Sequence, residues 1–182
     1  RLDANASDIN GKYQFFTCAQ TALKINSYSF DGEYVLVAGN GDLNVKYYNG
    51  KFDAYQRTYV IKCNTQMLNA KYLFHFLSVY VDTLRNLSIG GVIKYIKIGN
   101  LTEAIIPLPS LNEQEKTARI LDAADDLRQK DQQLVDHYTA LGQALFIEMF
   151  GDPVANPKDW TVRKIDEICD EIVDCVNRTA EV

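Results

Sequence analysis

The chain has 182 residues, of which 47% are hydrophobic and 24% are charged, and its net charge is −5. This length suits one domain of ordinary size plus an appendage. Neither a long uninterrupted apolar run nor a basic leader is present, so composition argues against membrane insertion and predicts a soluble cytoplasmic protein.

Charge and aromatic residues divide unevenly along the chain. Residues 1–108 carry 11 Lys and Arg against 8 Asp and Glu, a net charge of +3, whereas residues 109–182 carry 8 against 16, a net charge of −8. Ten of the eleven tyrosines and six of the eight phenylalanines also precede Pro109. A polyanion would be attracted to the first part and repelled by the second.

Residues 13–63 predict a mostly antiparallel sheet. Five β-type runs, YQFFTC, TALKI, EYVLVAG, LNVKYY and RTYVIKC, are separated by the turn signals SFDGE, GNGD and NGKFD. Residues 69–87 then place apolar side chains at helical spacing, which predicts an amphipathic helix lying on that sheet. His75 is expected on a face of this helix and not in catalysis, because no carboxylate or nucleophile is spaced to partner it.

Two short elements follow that helix. The alternation of side-chain types in VIKYIKI, residues 92–98, predicts one more strand. The segment NLTEA predicts a short turn in which Asn100 and Glu103 form a capping box.

A long helix is predicted next. Asn112 and Glu115 have the spacing of a capping box, and Gly151 with Pro153 forms a stop signal. Between these signals, residues 113–150 would form roughly 57 Å of helix at about 1.5 Å per residue. A stripe at heptad spacing predicts a helical partner; the alternative is packing along the sheet. Its members are Ile120, Ala124, Leu127, Asp131, Leu134, Tyr138, Leu141 and Leu145. The polar member Asp131 would set the register or direction of pairing.

The residue types needed for catalysis or metal binding are not arranged in a known pattern. The four cysteines form no CxxC pair, and GNGD lacks the spacing of a nucleotide-binding loop. A methyltransferase motif and a Walker motif are missing from the sequence, and no catalytic set stands out among the acids. We therefore assign no catalytic residue and no metal site, and expect a protein that is not itself an enzyme.

Several motifs together closely resemble the specificity subunit of type I restriction-modification systems. The most specific are IPLPSLNEQEKTARIL at residues 106–121 and FGDP followed by NP and Trp160 in MFGDPVANPKDW. The resemblance covers essentially the whole chain and implies an α+β fold. Residues 1–108 would form a β-rich target recognition domain with a packed helix, and residues 109–150 a coiled-coil spacer helix. Residues 151–158 would be a linker.

Residues 159–182 would begin a second, incomplete recognition domain, because so few residues cannot bury a core alone. A full subunit of that family is more than twice this length, so the chain resembles a half-subunit or a fragment. The last segment would alternatively complete a recognition domain of the same or a neighbouring chain.

The resemblance also implies a function. The chain would read one half of a bipartite target in double-stranded DNA and dock methyltransferase subunits through its long helix, with restriction subunits joining indirectly. S-adenosylmethionine, ATP and magnesium would belong to those partner subunits, and this chain would hold no cofactor. A homodimer through the long helix is a further expectation. The competing interpretation is a non-catalytic protein-interaction module that oligomerises through the helix.

Candidate DNA contacts follow from side-chain type and loop position. They are Tyr13, Thr17, Asn40, Asn44, Lys46, Tyr48, Gln56, Arg57, Ser88, Lys94 and Lys97. Arg57 and Lys46 are the foremost candidates. For each residue, the alternative is a solvated polar group or a half-buried tyrosine without a role in binding.

Overall fold

The structure is a computed structural model that describes residues 2–173. The chain forms two compact units, Arg1–Leu127 and Arg128–Val182. The strands are β1 (Tyr13–Phe16), β2 (Leu23–Ile25), β3 (Phe30–Ala38), β4 (Val45–Ala54) and β5 (Thr58–Ile61). The helices are α1 (Ala70–Leu87), α2 (Ile98–Thr102), α3 (Leu111–Phe150) and α4 (Ile165–Ile168). The predicted α+β class, with a β-rich region and one long helix, is confirmed.

The five strands form one sheet in the order β2-β1-β4-β3-β5, in which β1 and β4 are parallel and the other neighbours are antiparallel. One hydrogen bond shows that this sheet curls. The Thr58 hydroxyl, at the start of β5, donates to the Phe16 carbonyl, at the end of β1, at 3.3 Å. Two strands separate β1 from β5 in the sheet, yet the end of β1 lies beside the start of β5.

Two of the three predicted turns are wrong, because NGKFD lies within β4 and all of SFDGE except Ser29 lies within β3. Gly32 and Gly50 pair across these strands, with φ of 118° and 145°. Only glycine adopts such values without strain. A Cβ on Gly50 would also lie 3.3 Å from the Tyr48 ring. The two glycines therefore lie opposite each other inside paired strands, and the remaining turn signal, GNGD, lies in the β3–β4 loop.

Alternating side chains of β3 build a core on each face of the sheet. Val35 and Val37 pack under the buried face of α1, which is the helix predicted to lie on the sheet. Leu36 points to the other face, where it joins Phe16 and Phe52. The Phe52 ring has four aromatic neighbours within 5.7 Å between ring centroids, namely Phe16, Phe30, Tyr34 and Tyr48. Much of the aromatic content is therefore core.

The strand predicted at residues 92–98 is not formed. Tyr95 makes only isolated bridges, to Ile89 and to Asn40, and α2 begins at Ile98. A strand needs a continuous neighbour, and this segment has one only at its middle. The capping box of the following turn is also shifted, because the Asn100 side chain accepts from the Lys97 amide at 2.8 Å. Lys97, and not Asn100, is the N-cap of α2.

The long helix begins two residues earlier than predicted. Its capping box is Ser110 with Glu113, because Glu113 Oε2 accepts from the Ser110 amide at 3.2 Å and the Glu113 amide donates to Ser110 Oγ at 3.4 Å. The cap predicted at Asn112 is therefore wrong; serine follows Pro109 directly and already satisfies the first free amides. The predicted end is confirmed, since Phe150 is the last helical residue and Gly151 has φ of 83°.

The heptad stripe of α3 faces solvent. The exposed fraction of its large apolar members runs from 46% at Leu145 to 67% at Tyr138. Ala124 and Asp131 are exposed as well. A helical partner for this stripe stays a prediction.

The linker predicted at residues 151–158 folds back on the end of α3. Lys158 Nζ donates to the carbonyls of Glu148 and Met149, both at 2.7 Å, and Trp160 Nε1 donates to the Phe150 carbonyl at 3.0 Å. These bonds satisfy carbonyls that the helix itself leaves free. Residues 174–182, part of the predicted second recognition domain, lie outside the described residues.

Within residues 2–173, no helix combines the length and the hydropathy needed to cross a bilayer. The same part of the chain contains no group of three or more side chains placed to hold a metal ion.

Candidate nucleic-acid interface

Four loop segments of the first unit meet at the curled part of the sheet, and we call them together the loop cluster. They are residues 17–22, 39–44, 55–57 and 88–97. Backbone bonds join them: the Gly39 amide donates to the Arg57 carbonyl at 2.8 Å, and the Gly41 amide donates to the Lys94 carbonyl at 2.9 Å. Segments far apart in sequence thus form one surface.

Gln56 and Arg57 lie exposed at the turn between β4 and β5. Their backbone is fixed, because the Gln56 amide donates to the Leu2 carbonyl at 3.1 Å and Gly39 binds the Arg57 carbonyl. A Cβ on Gly39 would lie 2.4 Å from that carbonyl oxygen, so the approach requires glycine. Both side chains border a recess of about 390 Å³ that also contacts Tyr59. The backbone is held while the two polar side chains face solvent.

Four further candidates lie in the same cluster. Lys94 and Lys97 are exposed, and Asn40 is half-exposed beside its bridge to Tyr95. Ser88 ends α1, where its hydroxyl donates to the Arg85 carbonyl at 2.6 Å. Within the cluster, the cations Arg57, Lys94 and Lys97 outnumber the single carboxylate, Asp42. The surface is therefore locally basic although the chain is acidic.

Three candidates hold the loops together from inside. Asn44, which is 7% exposed, donates to the carbonyls of Cys18 and Asp42 at 2.8 Å and 2.9 Å. Lys46 donates to the Asn44 side-chain oxygen, and burial lowers the pKa of Lys46. Thr17 is also 7% exposed and accepts from the Ala19 amide at 3.3 Å. Their polar groups already have protein partners, so their direct role is to shape the loops.

Two tyrosine candidates lie outside the loop cluster. Tyr13, at the start of β1, meets the Tyr28 ring edge-on at 4.8 Å, and Lys51 Nζ lies 4.7 Å from that ring. Tyr48 packs in the aromatic core against Phe16, at 5.1 Å between ring centroids. The structure does not bring these two tyrosines to the surface that carries Arg57.

Arg85 belongs to this region but was missed by sequence reasoning, which treated α1 only as a packing helix. Its guanidinium donates to the Leu43 carbonyl at 2.8 Å and to Asp82 at 2.6 Å, and it lies 3.5 Å from Asp42. The Asp42 carboxylate also accepts from Gln20 at 3.1 Å. In the sequence, the one sign of this link between α1 and the β3–β4 loop was the presence of an arginine in the last turn of α1.

The first turns of α3 are fixed to α1 by a buried amide that the sequence did not reveal. Gln114 is 0% exposed. Its Oε1 accepts from the Asn69 amide at 2.9 Å, and its Nε2 donates to the carbonyls of Met67 and Pro109 at 3.0 Å and 2.9 Å. Asn69 is the N-cap of α1, so one side chain ties together the starts of two helices.

Asp122 makes a second link between these helices. Its carboxylate accepts from Lys71 and lies 2.8 Å from His75 Nε2. Burial would raise the pKa of Asp122, but its hydrogen bonds to Lys71 and His75 outweigh burial and hold that pKa below its usual range. His75 lies on a helix face, as expected, but it does have a carboxylate partner 47 positions further along the chain.

Comparisons with known proteins agree with this architecture. The sequence model described as type I restriction modification DNA specificity domain matches residues 1–136. The EcoDI type I specificity subunit of Escherichia coli is 43% identical over 122 residues, covering 67% of this chain and 27% of that protein. A putative type I specificity subunit of Mycoplasma pneumoniae, S.MpnORF507P, is 34% identical over 124 residues, covering 65% of this chain and 33% of that protein.

A solved structure shares the fold. It is the S subunit of a type I restriction-modification system from M. genitalium, with a TM-score of 0.63 and 19% identity over 87% of this chain and 43% of that chain. The chain thus spans about a quarter to a third of the two curated relatives. Because the family model matches most of its residues, the chain belongs to the type I restriction modification DNA specificity domain family.

Proposed function

We propose that the chain is the DNA-reading part of a type I specificity subunit and that it contacts one half of a bipartite target. The observation that carries the proposal is the loop cluster, which places Gln56, Arg57, Lys94 and Lys97 on one basic surface. These are side-chain types that bind base edges and phosphates.

Within this proposal the side chains divide by role. Arg57 presents a planar guanidinium that can bind the two acceptors of guanine in the major groove, and Gln56 can pair with adenine in the same way. Lys94 and Lys97 neutralise phosphates and set the orientation on the duplex. The backbone bonds that hold Gln56 and Arg57 support a prearranged reading surface, since less conformational freedom is then lost on binding.

We further propose that residues 1–108 act as the recognition domain and that α3 serves as a spacer and a docking surface for methyltransferase subunits. The exposed heptad stripe supports this role, because a mostly apolar stripe on a long helix is stabilised by a second helix that covers it. The chain itself would be non-catalytic, with S-adenosylmethionine, ATP and magnesium on partner subunits. If the chain is instead a protein-interaction module, that same stripe would serve only for oligomerisation.

Equilibrium binding to random and selected duplexes tests the DNA-reading role. Arg57→Ala should weaken binding to the preferred duplex by ~1–3 kcal/mol and relax the preference at one guanine. Lys94→Ala should weaken binding to all duplexes alike and reduce the slope of log K against log salt by about 1. The control is Arg119→Ala, an exposed arginine of α3 outside the loop cluster, which should change neither quantity.

The same measurements separate the two interpretations. A protein-interaction module would bind duplexes without sequence preference, and Arg57→Ala would behave like the Arg119 control. Either result would contradict the proposed function.

A further inference from the structure

The tip of the segment between α1 and α2 exposes two adjacent aliphatic side chains. Val92 is fully exposed and Ile93 is 63% exposed. They lie at the turn of a short hairpin closed by two backbone bonds, from the Ile89 amide to the Tyr95 carbonyl at 2.9 Å and from the Tyr95 amide to the Ile89 carbonyl at 2.8 Å. The hairpin presents apolar surface directly to solvent.

This hairpin is anchored to the loop cluster. The Ile96 amide donates to the Gly39 carbonyl at 3.0 Å, the Ile96 side chain is buried, and the Ile96 carbonyl accepts from the Tyr59 hydroxyl at 2.9 Å. Gly90 makes the tight turn possible, because its φ is 117° and an added Cβ would lie 2.6 Å from the Ile93 carbonyl oxygen. The two aliphatic side chains are therefore held in place relative to Arg57.

Two lysines flank the apolar tip. Lys94 follows Ile93 directly and Lys97 lies three residues further on. On the other side, Val92 and Ile93 border a recess of about 530 Å³ that Arg85 and Asp42 also line. Because Arg85 is paired with Asp42 and Asp82, the net positive charge near the tip comes from the two lysines. An apolar patch within a basic surface suits a polyanion that has apolar groups of its own. Duplex DNA has such groups in its major groove, where each thymine carries a C5-methyl group.

We propose that Val92 and Ile93 enter the major groove and contact thymine methyl groups, so that the half-site contains at least one A·T pair under the hairpin tip. A two-stranded ribbon fits that groove, and contact between aliphatic side chains and the thymine methyl is a direct form of sequence readout. This inference rests on the proposed function, because it requires the loop cluster to face DNA.

Deoxyuridine provides the test, since it differs from thymidine only by the missing methyl group. The 182-residue chain is used to select its preferred duplex from a random library, and each thymine of that duplex is then replaced in turn. Losing a contacted methyl should weaken binding about fourfold. The double variant Val92→Ser with Ile93→Ser should bind the thymine duplex more weakly and show no further loss with deoxyuridine.

A matched control is Val154→Ser, which changes an almost fully exposed valine of the second unit. It should keep both the affinity and the sensitivity to deoxyuridine. Circular dichroism of all variants checks that the fold is retained; Val92 and Ile93 are both exposed, so the serine substitutions remove no core packing.

The outcomes distinguish this inference from the proposed function. If the wild-type chain selects a duplex but no thymine replacement weakens binding, or if the double variant keeps its sensitivity to deoxyuridine, the methyl contact is refuted while DNA reading stands. Unchanged DNA binding by the double variant with loss of methyltransferase co-purification would assign the tip to a protein partner and overturn the inference. A wild-type chain without duplex preference would overturn both proposals.

Discussion

The buried amide of Gln114 permits a quantitative prediction about the junction between the sheet region and α3. Replacing Gln114 with alanine removes three hydrogen bonds and leaves the Asn69 amide and the carbonyls of Met67 and Pro109 without that partner. At about 1 kcal/mol for each bond, the free energy of unfolding of the first unit should fall by about 3 kcal/mol. For a unit of this size, the Tm should fall by roughly 10 °C.

Urea unfolding followed by near-ultraviolet circular dichroism measures this change. Ten of the eleven tyrosines precede Pro109, so the tyrosine part of the signal reports mainly on the first unit, whereas Trp160 lies in the second. The matched control is Gln143→Ala, which removes an exposed glutamine from the same helix and should alter stability by no more than about 0.5 kcal/mol. Equal effects of the two substitutions would refute the assigned role of Gln114.

Two further substitutions test other contacts of α3. The pKa of Asp122 is lower in the folded protein than in the unfolded chain, where it is about 3.9, so the ionised carboxylate stabilises the fold. This stabilisation is fully present above the unfolded-state pKa and is lost as the pH falls through the folded-state pKa. Urea unfolding gives the free energy of unfolding of wild type and of Asp122→Asn. The difference between the two should therefore be largest near neutral pH and shrink in acid, and a difference that does not change with pH would contradict the ion-pair account. Trp160→Phe removes the bond to the Phe150 carbonyl, so amide hydrogen exchange in the last turn of α3 should accelerate, and unchanged exchange would show that the bond does not hold the helix end.

Sequence reasoning succeeded for elements whose signals are local. The Gly151 stop and the amphipathic spacing of α1 each depend on residues a few positions apart, and both helices are present with nearly the predicted bounds. The errors also have local causes. Gly32 and Gly50 resemble turn residues when each is considered alone, and only their pairing across β3 and β4 explains why they remain within strands.

The candidate surface was predicted in part. Gln56, Arg57 and Lys94 were chosen mainly for their side-chain type, although Lys94 lay in a predicted strand, and the structure places them in one cluster of loops. Their contact with DNA stays a prediction. By contrast, Asn44 and Lys46 have similar side-chain chemistry but point inward, where they bind other loop groups. Side-chain type alone does not distinguish a solvent-facing amide from a buried one, because burial depends on how the loops pack.

The sequence by itself therefore determined the α+β class, the long helix with its end and stripe, and the family resemblance, because these follow from short-range patterns and motifs. Only the tertiary structure decided the strand order, the curl that joins β1 to β5 and the burial of Gln114 beside the start of α1. It also decided that Arg57 and the Val92 hairpin belong to one surface. These features depend on contacts between residues tens of positions apart, such as Asn69 with Gln114, and no local pattern encodes which distant partner a side chain will find.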